Sequence, residues 1–327
     1  MNLQVMILEL IHNFGTPGKN IIQTFMSNIL ILGIDGMLGN MLASVFSQKS
    51  SGKLFFTSRR DEPINEYLNG EIINFDALSM GFTNLVSAVK PDFVINCIGA
   101  IKPLIKESEP KSVINAQTIN SFLPLHIAKS TNEFNFKYLQ IGTDCVFNGE
   151  KGMYNEESNT DAIDVYGKTK IAGEITVKNK TVIRSSIIGP ESGTGRSLLN
   201  WFYHEKSDSV SGFNNHLWNG VTTLNFANVI NGIIENNYDI GLIQHLIPSD
   251  VVTKYELLHL FAKYFKKDIG INKTEADNVI NRTLNTLNPE QNKILWKFGG
   301  YTEIPSVEEN IKELSRYSLT QELLVNQ

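Results

Sequence analysis

The sequence has few cysteines and no long uninterrupted apolar stretch. Only Cys97 and Cys145 occur among 327 residues, and neither lies in a Cys-x-x-Cys pattern or in zinc-ligand spacing. The chain therefore lacks the basis for a disulfide framework, and a reducing, cytoplasmic location is expected. No apolar run reaches the roughly 20 residues of a transmembrane helix. We expect neither a membrane partner nor a bound metal.

Positive charge is also scarce. The 29 Lys and Arg residues are outnumbered by 34 Asp and Glu residues, for a formal net charge of −5. This balance argues against the extended basic surface of a nucleic-acid-binding protein, so no nucleic-acid partner is expected. A small anionic ligand needs only local positive charge, and a nucleotide-sugar substrate remains compatible.

Residues 1–25 lack the features of a signal peptide. Their apolar stretch, Val5–Ile11, is interrupted by Glu9, and no basic region precedes it. We interpret residues 1–25 as an N-terminal extension ahead of the first strong strand. The alternative is a short amphipathic helix that packs on the body of the protein or on a partner.

Apolar runs that alternate with helical patterns predict an α/β fold. Ile29–Leu32 is continuously apolar and ends at Gly33, which is typical of a strand buried on both faces of a parallel sheet. Further strands are predicted at 54–57, 72–75, 93–97, 138–141, 182–184 and 242–247, and helices at 37–46, 110–129, 163–177, 198–203, 224–236 and 253–266.

This alternation predicts a Rossmann-type doubly wound parallel sheet. We expect an NADP-binding Rossmann domain over residues 26–185. Residues 186–327 are expected to form mainly a smaller C-terminal substrate-binding lobe that partly returns to the core. Right-handed crossovers bring the carboxyl ends of all strands to one side of the sheet, where ligands bind.

A G-x-x-G-x-x-G pattern lies between the first predicted strand and its helix. Gly33, Gly36 and Gly39 would let the backbone approach a pyrophosphate, and the helix that starts at Met37 and Leu38 would offer free N–H groups. The pattern predicts a dinucleotide site, with a purely structural turn as the alternative. Asp35 is unexpected beside phosphates, so its side chain should point away from them.

The second predicted strand ends in Thr57-Ser58-Arg59-Arg60, with no acid before Asp61. An acid at this point binds the ribose 2′-hydroxyl of NAD, whereas arginine suits the 2′-phosphate of NADP. We therefore expect Ser58 and Arg59 to help bind NADPH, with NADH as the alternative and a solvated arginine pair as the structural explanation.

Three further cofactor contacts follow later strands. Asp76 is expected at the adenine edge, and the cofactor is expected to lie close to Asn96 and Gly99.

Tyr166 and Lys170 have the spacing of a catalytic pair. Residues four apart share one helix face, and a nearby ammonium would lower the pKa of the phenol and ease proton exchange with a substrate oxygen. Lys170 would also bind the nicotinamide ribose. Thr143, at the end of the fifth strand, would polarise a carbonyl in the same crevice.

These motifs give the chain a family resemblance. It resembles the extended short-chain dehydrogenases/reductases, and within them the dTDP-4-dehydrorhamnose reductase (RmlD-like) family, over about residues 28–314. The resemblance is carried by the glycine turn and by the segments 94–99, 142–149, 164–174, 184–189 and 282–285.

The resemblance implies a nucleotide-activated 4-keto-6-deoxy sugar as substrate, in deoxysugar or polysaccharide biosynthesis. Nicotinamide hydride would go to C4, Tyr166 would donate the proton, and Thr143 would bind the oxygen. Asn120 would hold the active-site backbone. The expected substrate contacts are Cys145, Val146, Phe147, Arg196, Trp218 and Arg282. A homodimer is left open.

Two other functions remain open. Cys145 stands where typical members carry tyrosine, and GDP-fucose synthases place a cysteine at the same offset from their catalytic serine. An epimerase or epimerase-reductase is therefore one alternative, with His204 or His216 as the partner acid, unless Cys145 is inert packing. A non-catalytic regulatory subunit is the other, because the family resembles the regulatory subunit of methionine adenosyltransferase.

Overall fold

The computed structural model describes residues 26–60, 68–79, 81–192 and 196–325. The predicted extension, residues 1–25, lies outside them. Within the described part of the chain, no helix is both long and apolar enough to cross a bilayer.

A seven-stranded parallel sheet forms the centre of the described chain, with the strand order β11-β6-β5-β4-β1-β2-β3. Its strands are β1 (Asn28–Leu32), β2 (Lys53–Ser58), β3 (Glu71–Asn74), β4 (Phe93–Asn96), β5 (Lys137–Ile141), β6 (Lys180–Arg184) and β11 (Ile243–His245). The predicted doubly wound α/β fold is confirmed.

Helices and short strands complete the described chain. The helices are α1 (Met37–Lys49), α2 (Phe82–Val89), α3 (Pro110–Gln117), α4 (Leu123–Phe134), α5 (Val165–Gly173), α6 (Leu198–His204), α7 (Thr223–Glu235), α8 (Lys254–Tyr264), α9 (Pro289–Phe298), α10 (Val307–Arg316) and α11 (Ser318–Val325). The short strands pair two by two: β7 (Ile187–Ile188) with β10 (Val221–Thr222), β8 (Ser209–Phe213) with β13 (Gly270–Thr274), and β9 (Leu217–Trp218) with β12 (Val252–Thr253).

The alternation of side chains along β1 builds the two faces of the sheet. Ile29 and Ile31 belong to one apolar cluster, which includes residues of α1 and α7. Leu30 and Leu32 belong to a second cluster, which includes residues of α2 and α4. A strand buried on both faces needs apolar residues at every position, and this explains the continuous apolar run.

The strand order reverses beside β1, and this reversal positions the site. β1 pairs with β2 on one side and with β4 on the other, so the chain leaves β1 and β4 in opposite directions at their carboxyl ends. A crevice at such a switch point is the general ligand site of open α/β sheets. Gly33 follows β1 at this edge, and residues 97–100 follow β4.

The predicted helix over 110–129 is interrupted. Residues Thr118–Phe122 form a π-helical turn between α3 and α4, in which the Leu123 N–H donates to the Thr118 carbonyl, five residues back. Pro124 has no N–H to donate to the carbonyl of Asn120, so the regular i→i−4 bond cannot form there. The wider turn leaves the Asn120 carbonyl free to approach α5.

The predicted helix over 163–177 is shorter than expected. α5 begins after Asp164, whose side chain accepts a hydrogen bond from the Gly167 N–H, and it ends at Gly173. Glu174, the next residue, forms a buried ion pair with Arg184 at 2.8 Å.

The buried ion pair generates a stability prediction. The Glu174 and Arg184 side chains are only 5% and 4% exposed. Replacing one partner leaves an uncompensated buried charge, so Glu174→Ala should lower the free energy of unfolding by about 3–5 kcal/mol in urea denaturation. The double variant Glu174→Leu/Arg184→Met should recover most of that loss, because neither partner of the pair is left buried and charged without the other.

The exposed pair Lys293–Glu303, at 3.9 Å, provides the control. Lys293→Ala should change stability far less, since solvent screens that pair. Equal losses at the two sites would contradict a special role for the buried pair.

Candidate active site at the carboxyl ends of the strands

The glycine turn has the geometry that a pyrophosphate requires. Gly33 has φ of +83°, and a Cβ at Gly39 would lie 2.1 Å from the Gly33 carbonyl oxygen. Only glycine at both positions allows this close packing of α1 on β1. Gly36 begins α1 without a side-chain cap, and the first helical turn contains no acid. The uncapped N–H groups, including those of the turn's Met37 and Leu38, therefore fit an anionic group.

Asp35 points away from the start of α1, as predicted. Its carboxylate accepts hydrogen bonds from the Ser58 hydroxyl at 2.7 Å and from the Arg59 N–H at 2.9 Å. The acid therefore lies at the end of β2. The side chains of Arg59 and Arg60 are exposed there.

Asn96 has a structural role that the sequence did not predict. Its side chain is fully buried, donates to the Gln140 side chain at 3.1 Å and accepts from the Ile98 N–H at 3.1 Å. Its amide already has partners inside the protein, and the expectation that the cofactor lies close to Asn96 stays a prediction. Asn96 positions the loop that carries Gly99.

Asp76 is exposed just beyond β3, where its carboxylate accepts a hydrogen bond from the Leu78 N–H at 3.0 Å. Its predicted contact with adenine stays a prediction.

Asn120 joins three segments of the site. Its side chain accepts from the Ala100 N–H and donates to the Ala100 carbonyl, both at 2.9 Å, and it donates to the Thr169 hydroxyl at 3.1 Å. A Cβ at Gly173 would lie 2.1 Å from the Asn120 carbonyl oxygen. Asn120 thus holds the loop after β4 against α5, in agreement with the predicted role.

Thr143, Tyr166 and Lys170 meet at the end of β5. The Lys170 amine donates to the Ile141 carbonyl at 2.8 Å, two residues before Thr143. Thr143 accepts from the Cys145 N–H at 3.2 Å, and its hydroxyl also interacts with the phenol of Tyr166. The predicted set therefore shares one strand end.

The protonation of this set differs from the prediction. Burial raises the pKa of Tyr166 above its ordinary value, although the Thr143 hydroxyl opposes the shift. Burial lowers the pKa of Lys170, and the negative charge of Glu174 opposes that change. The predicted lowering of the phenol's pKa by the ammonium is not found in this structure, because desolvation is the largest influence on that pKa and raises it. The phenol holds its proton at neutral pH.

The loop after β4 also contacts the start of α5. The Lys102 ammonium pairs with Asp164 at 2.7 Å, and the Glu107 carboxylate accepts from the Val165 N–H at 3.0 Å. Burial raises the pKa of Asp164, but the Gly167 N–H and the Lys102 ammonium hold it below its usual value. These contacts fix the helix end that carries Tyr166.

Cys145 is a protonated thiol in this environment. Burial raises its pKa to about 12, the charge of Asp144 adds to the shift, and Arg282 opposes it. A thiol with so high a pKa supplies little thiolate at neutral pH. Among the described contacts, His204 and His216 make none with Cys145, and His216 instead bonds the Asn278 carbonyl at 2.9 Å.

Three of the predicted substrate contacts have buried side chains, which argues against direct contact with a ligand. Val146 and Phe147 are fully buried, and Phe147 stacks on Tyr154 with a centroid distance of 4.2 Å. Trp218 is 5% exposed, and its ring N–H donates to the Ser186 hydroxyl at 2.8 Å. These side chains pack in apolar clusters, so they support the crevice wall without presenting a free face to a ligand.

The two predicted arginine contacts differ. The Arg282 guanidinium donates to the carbonyls of Phe147 and Asn148, at 2.8 and 3.5 Å, and so holds the loop that follows Thr143. Arg196 is exposed, and its predicted contact with the substrate stays a prediction. No group of three or more His, Cys, Asp or Glu side chains in the described ranges is arranged to hold a metal ion.

The match to a protein family spans most of the chain. The model for the RmlD substrate binding domain matches residues 26–290. The chain belongs to the RmlD family.

Over most of its length, the chain is similar to two relatives that have different names. The chain is 25% identical over 272 residues to methionine adenosyltransferase 2 subunit beta of Xenopus tropicalis, covering 80% of this chain and 79% of that protein. It is 24% identical over 297 residues to dTDP-4-dehydrorhamnose reductase of Escherichia coli K12, covering 83% and 95%.

A solved dTDP-4-dehydrorhamnose reductase from Bacillus anthracis, in complex with NADP, superposes with a TM-score of 0.65 at 18% identity. The superposition covers 88% of this chain and 98% of that one. At this identity, the likeness supports the shared fold.

Lys254 is a candidate site residue of this RmlD-family chain that the sequence did not predict. Pairing of β12 with β9 brings it beside Trp218, where its amine lies 5.4 Å from the ring centroid. Burial lowers its pKa to about 8, and the charge of Asp144 opposes that shift. Its amine has no hydrogen bond or ion pair within the described part of the chain.

One signal in the sequence could have identified Lys254. Thr253 and Glu256 form a capping box, so Lys254 is the first residue of α8. A cation is unfavourable at the positive end of the helix dipole. A lysine at this position therefore indicates another interaction.

The contacts of Asn120 generate a prediction about the site's rigidity. Asn120→Ala should lower the free energy of unfolding by about 1–3 kcal/mol, because the Ala100 backbone groups lose their partners. Hydrogen exchange should accelerate over residues 98–104 in particular. Gln117→Ala, at an exposed position of α3, is the matched control. Unchanged exchange in that loop would exclude the positioning role.

Proposed function

We propose that this RmlD-family chain reduces the 4-keto group of a nucleotide-activated deoxysugar with NADPH, NADH being the alternative cofactor. The observation that carries the proposal is the meeting of Thr143, Tyr166 and Lys170 at one strand end, at the same edge of the parallel sheet as the glycine turn. The similarity to dTDP-4-dehydrorhamnose reductase of Escherichia coli, over 95% of that protein, supports it. The NADP complex of the Bacillus anthracis reductase supports the cofactor class.

The side chains suit proton donation to a ketone oxygen. NADPH, when bound, supplies the hydride. Tyr166 holds its proton because burial raises the pKa of its phenol, and a group that must deliver a proton needs to be protonated beforehand. The Thr143 hydroxyl is proposed to bind the same ketone oxygen. Lys170 is held by the Ile141 carbonyl and would stabilise the phenolate after transfer.

Epimerisation is disfavoured by the state of Cys145. Removal of a proton beside a ketone needs a base, and the thiol keeps its proton because burial raises its pKa to about 12. The described contacts also supply no histidine partner. Reduction therefore explains the site better than the epimerase or epimerase-reductase alternative.

A non-catalytic regulatory role is the second candidate. The observation that favours it is the 25% identity to methionine adenosyltransferase 2 subunit beta over 79% of that subunit. A chain with this role would bind a dinucleotide and a catalytic partner without turning over 4-keto sugar nucleotides. The Thr143, Tyr166 and Lys170 set favours the enzyme.

Replacement of the proton donor tests the proposed activity. Tyr166→Phe should lower kcat about 10²–10⁴-fold, the usual contribution of a general acid, and should leave dinucleotide binding nearly unchanged. The assay follows NADPH oxidation with dTDP-, UDP-, GDP- and CDP-linked 4-keto sugars.

Tyr238→Phe, at a tyrosine that packs against Phe298, is the control and should retain full activity. Full activity of Tyr166→Phe would rule out the proton-donor role. No turnover by the unaltered chain with any of these substrates, despite dinucleotide binding, would favour the regulatory candidate.

Lys254 is proposed to bind the sugar nucleotide. Its amine lies 5.4 Å from the centroid of the Trp218 ring and lacks a hydrogen bond or ion pair in the described chain, so a substrate phosphate or hydroxyl would supply one. Lys254→Met should raise KM for the sugar nucleotide about tenfold, as loss of one charge-assisted hydrogen bond predicts, with a small effect on kcat. Lys263→Met on the same helix is the matched control. An unchanged KM in Lys254→Met would refute this contact.

A further inference from the structure

The carboxylate of Asp35 lies where a Rossmann domain recognises the adenosine ribose. This recognition normally uses a side chain at the end of β2, about 20 residues beyond the glycine turn. Here β2 ends at Ser58, and the next residue with a described position is Arg59, so β2 itself supplies no acid there. Asp35 fills the place from the glycine turn, bonded to the Ser58 hydroxyl at 2.7 Å and to the Arg59 N–H at 2.9 Å.

The hydrogen-bonding capacity of Asp35 is only half used. An ionised carboxylate offers about four acceptor positions and no donor. Two of them receive the hydrogen bonds from Ser58 and Arg59, and Asp35 is half-buried, so the others remain available. A ribose 2′-hydroxyl can donate to such an acceptor.

A 2′-phosphate interacts differently with the same group. It carries a charge of about −1.5 to −2 and is mostly without a proton at neutral pH, so it would be repelled by the Asp35 carboxylate. It would also need the donors at the end of β2, and Asp35 already occupies the Ser58 hydroxyl and the Arg59 N–H. A charged phosphate left without such partners loses the interactions that make its binding selective.

We propose that Asp35 sets the dinucleotide selectivity of this site, as an acid presented by the glycine turn in place of the missing acid of β2. It favours the 2′-hydroxyl of NADH and opposes the 2′-phosphate of NADPH. The inference rests on the proposed function only in requiring that a nicotinamide dinucleotide binds. It makes NADH a competent cofactor despite the arginines at the end of β2.

Arg59 and Arg60 act in the opposite direction. Their exposed side chains follow the strand end, and their positive charge attracts a 2′-phosphate. The attraction acts through solvent-exposed side chains, whereas Asp35 is held in place by two hydrogen bonds. The unaltered chain should therefore discriminate weakly, with dissociation constants for NADPH and NADH that differ by less than about tenfold, which is 1.4 kcal/mol.

The role of Asp35 can be separated from a purely structural one. Asp35→Asn keeps the size of the side chain and one oxygen acceptor for the strand end, and it replaces the negative charge with an amide donor. A structural role alone predicts equal effects on the two dinucleotides. A selectivity role predicts that only the ratio of their affinities changes.

Direct binding is the measurement, by calorimetry with NADPH and NADH and by competition with 2′,5′-ADP and 5′-AMP. Asp35→Asn should strengthen NADPH and 2′,5′-ADP binding about tenfold, the scale of one removed like-charge contact near a surface. NADH and 5′-AMP binding should stay equal or weaken. Asp239→Asn is the charge-matched control, because Asp239 precedes β11 at the opposite edge of the sheet.

Two results would overturn the inference. An unchanged NADPH-to-NADH affinity ratio in both Asp35→Asn and Asp35→Ser, each with a melting temperature close to that of the unaltered chain, contradicts the role of Asp35 alone. Failure of the unaltered chain to bind either dinucleotide contradicts the proposed function and this inference together. Loss of turnover with intact binding and a shifted ratio contradicts only the proposed activity.

Discussion

The geometry of the candidate site depends on the contact between the carbonyl of Asn120 and Gly173. The missing N–H of Pro124 widens the helix into a π turn, and the missing Cβ of Gly173 lets α5 approach the released carbonyl. The Asn120 side chain then reaches Ala100 on one side and Thr169 on the other. The π turn, which is stabilised by local packing, thereby joins the loop after β4 to the helix that carries Tyr166 and Lys170.

Burial gives the neighbouring groups of the site compatible protonation states. It raises the pKa of Tyr166 and of Cys145, so both keep their protons, and it lowers the pKa of Lys170. One cause therefore favours an acid at Tyr166 and disfavours a base at Cys145. A hydroxyl or thiol that must act as a base would need a stronger positive field than this crevice supplies.

The sequence predicted correctly those features that depend only on residues close together in the chain. The apolar run of β1, the glycine turn and the four-residue spacing of Tyr166 and Lys170 each depend on neighbours in the chain, and all were found where expected. Val146 and Phe147 could not be assigned in this way, because their burial depends on Tyr154 and on the distant residue Leu284. Lys254 reaches the crevice only because β12 pairs with β9, a contact between segments more than thirty residues apart in the chain.

The difference between local and distant determinants also applies to the charges around the proposed ribose site. At the end of β2, the sequence order suggested that arginines alone face the ribose, since Asp35 lies more than twenty residues earlier. The fold brings Asp35 back to that strand end because the Gly33 N–H is bound by Thr57 at 2.9 Å, which ties the glycine turn to β2. The chemistry at a strand end is therefore set by every loop that reaches it, and the residue that follows the strand is only one contributor. In an open α/β sheet, adjacent loops at the switch point can exchange such roles without a change of fold.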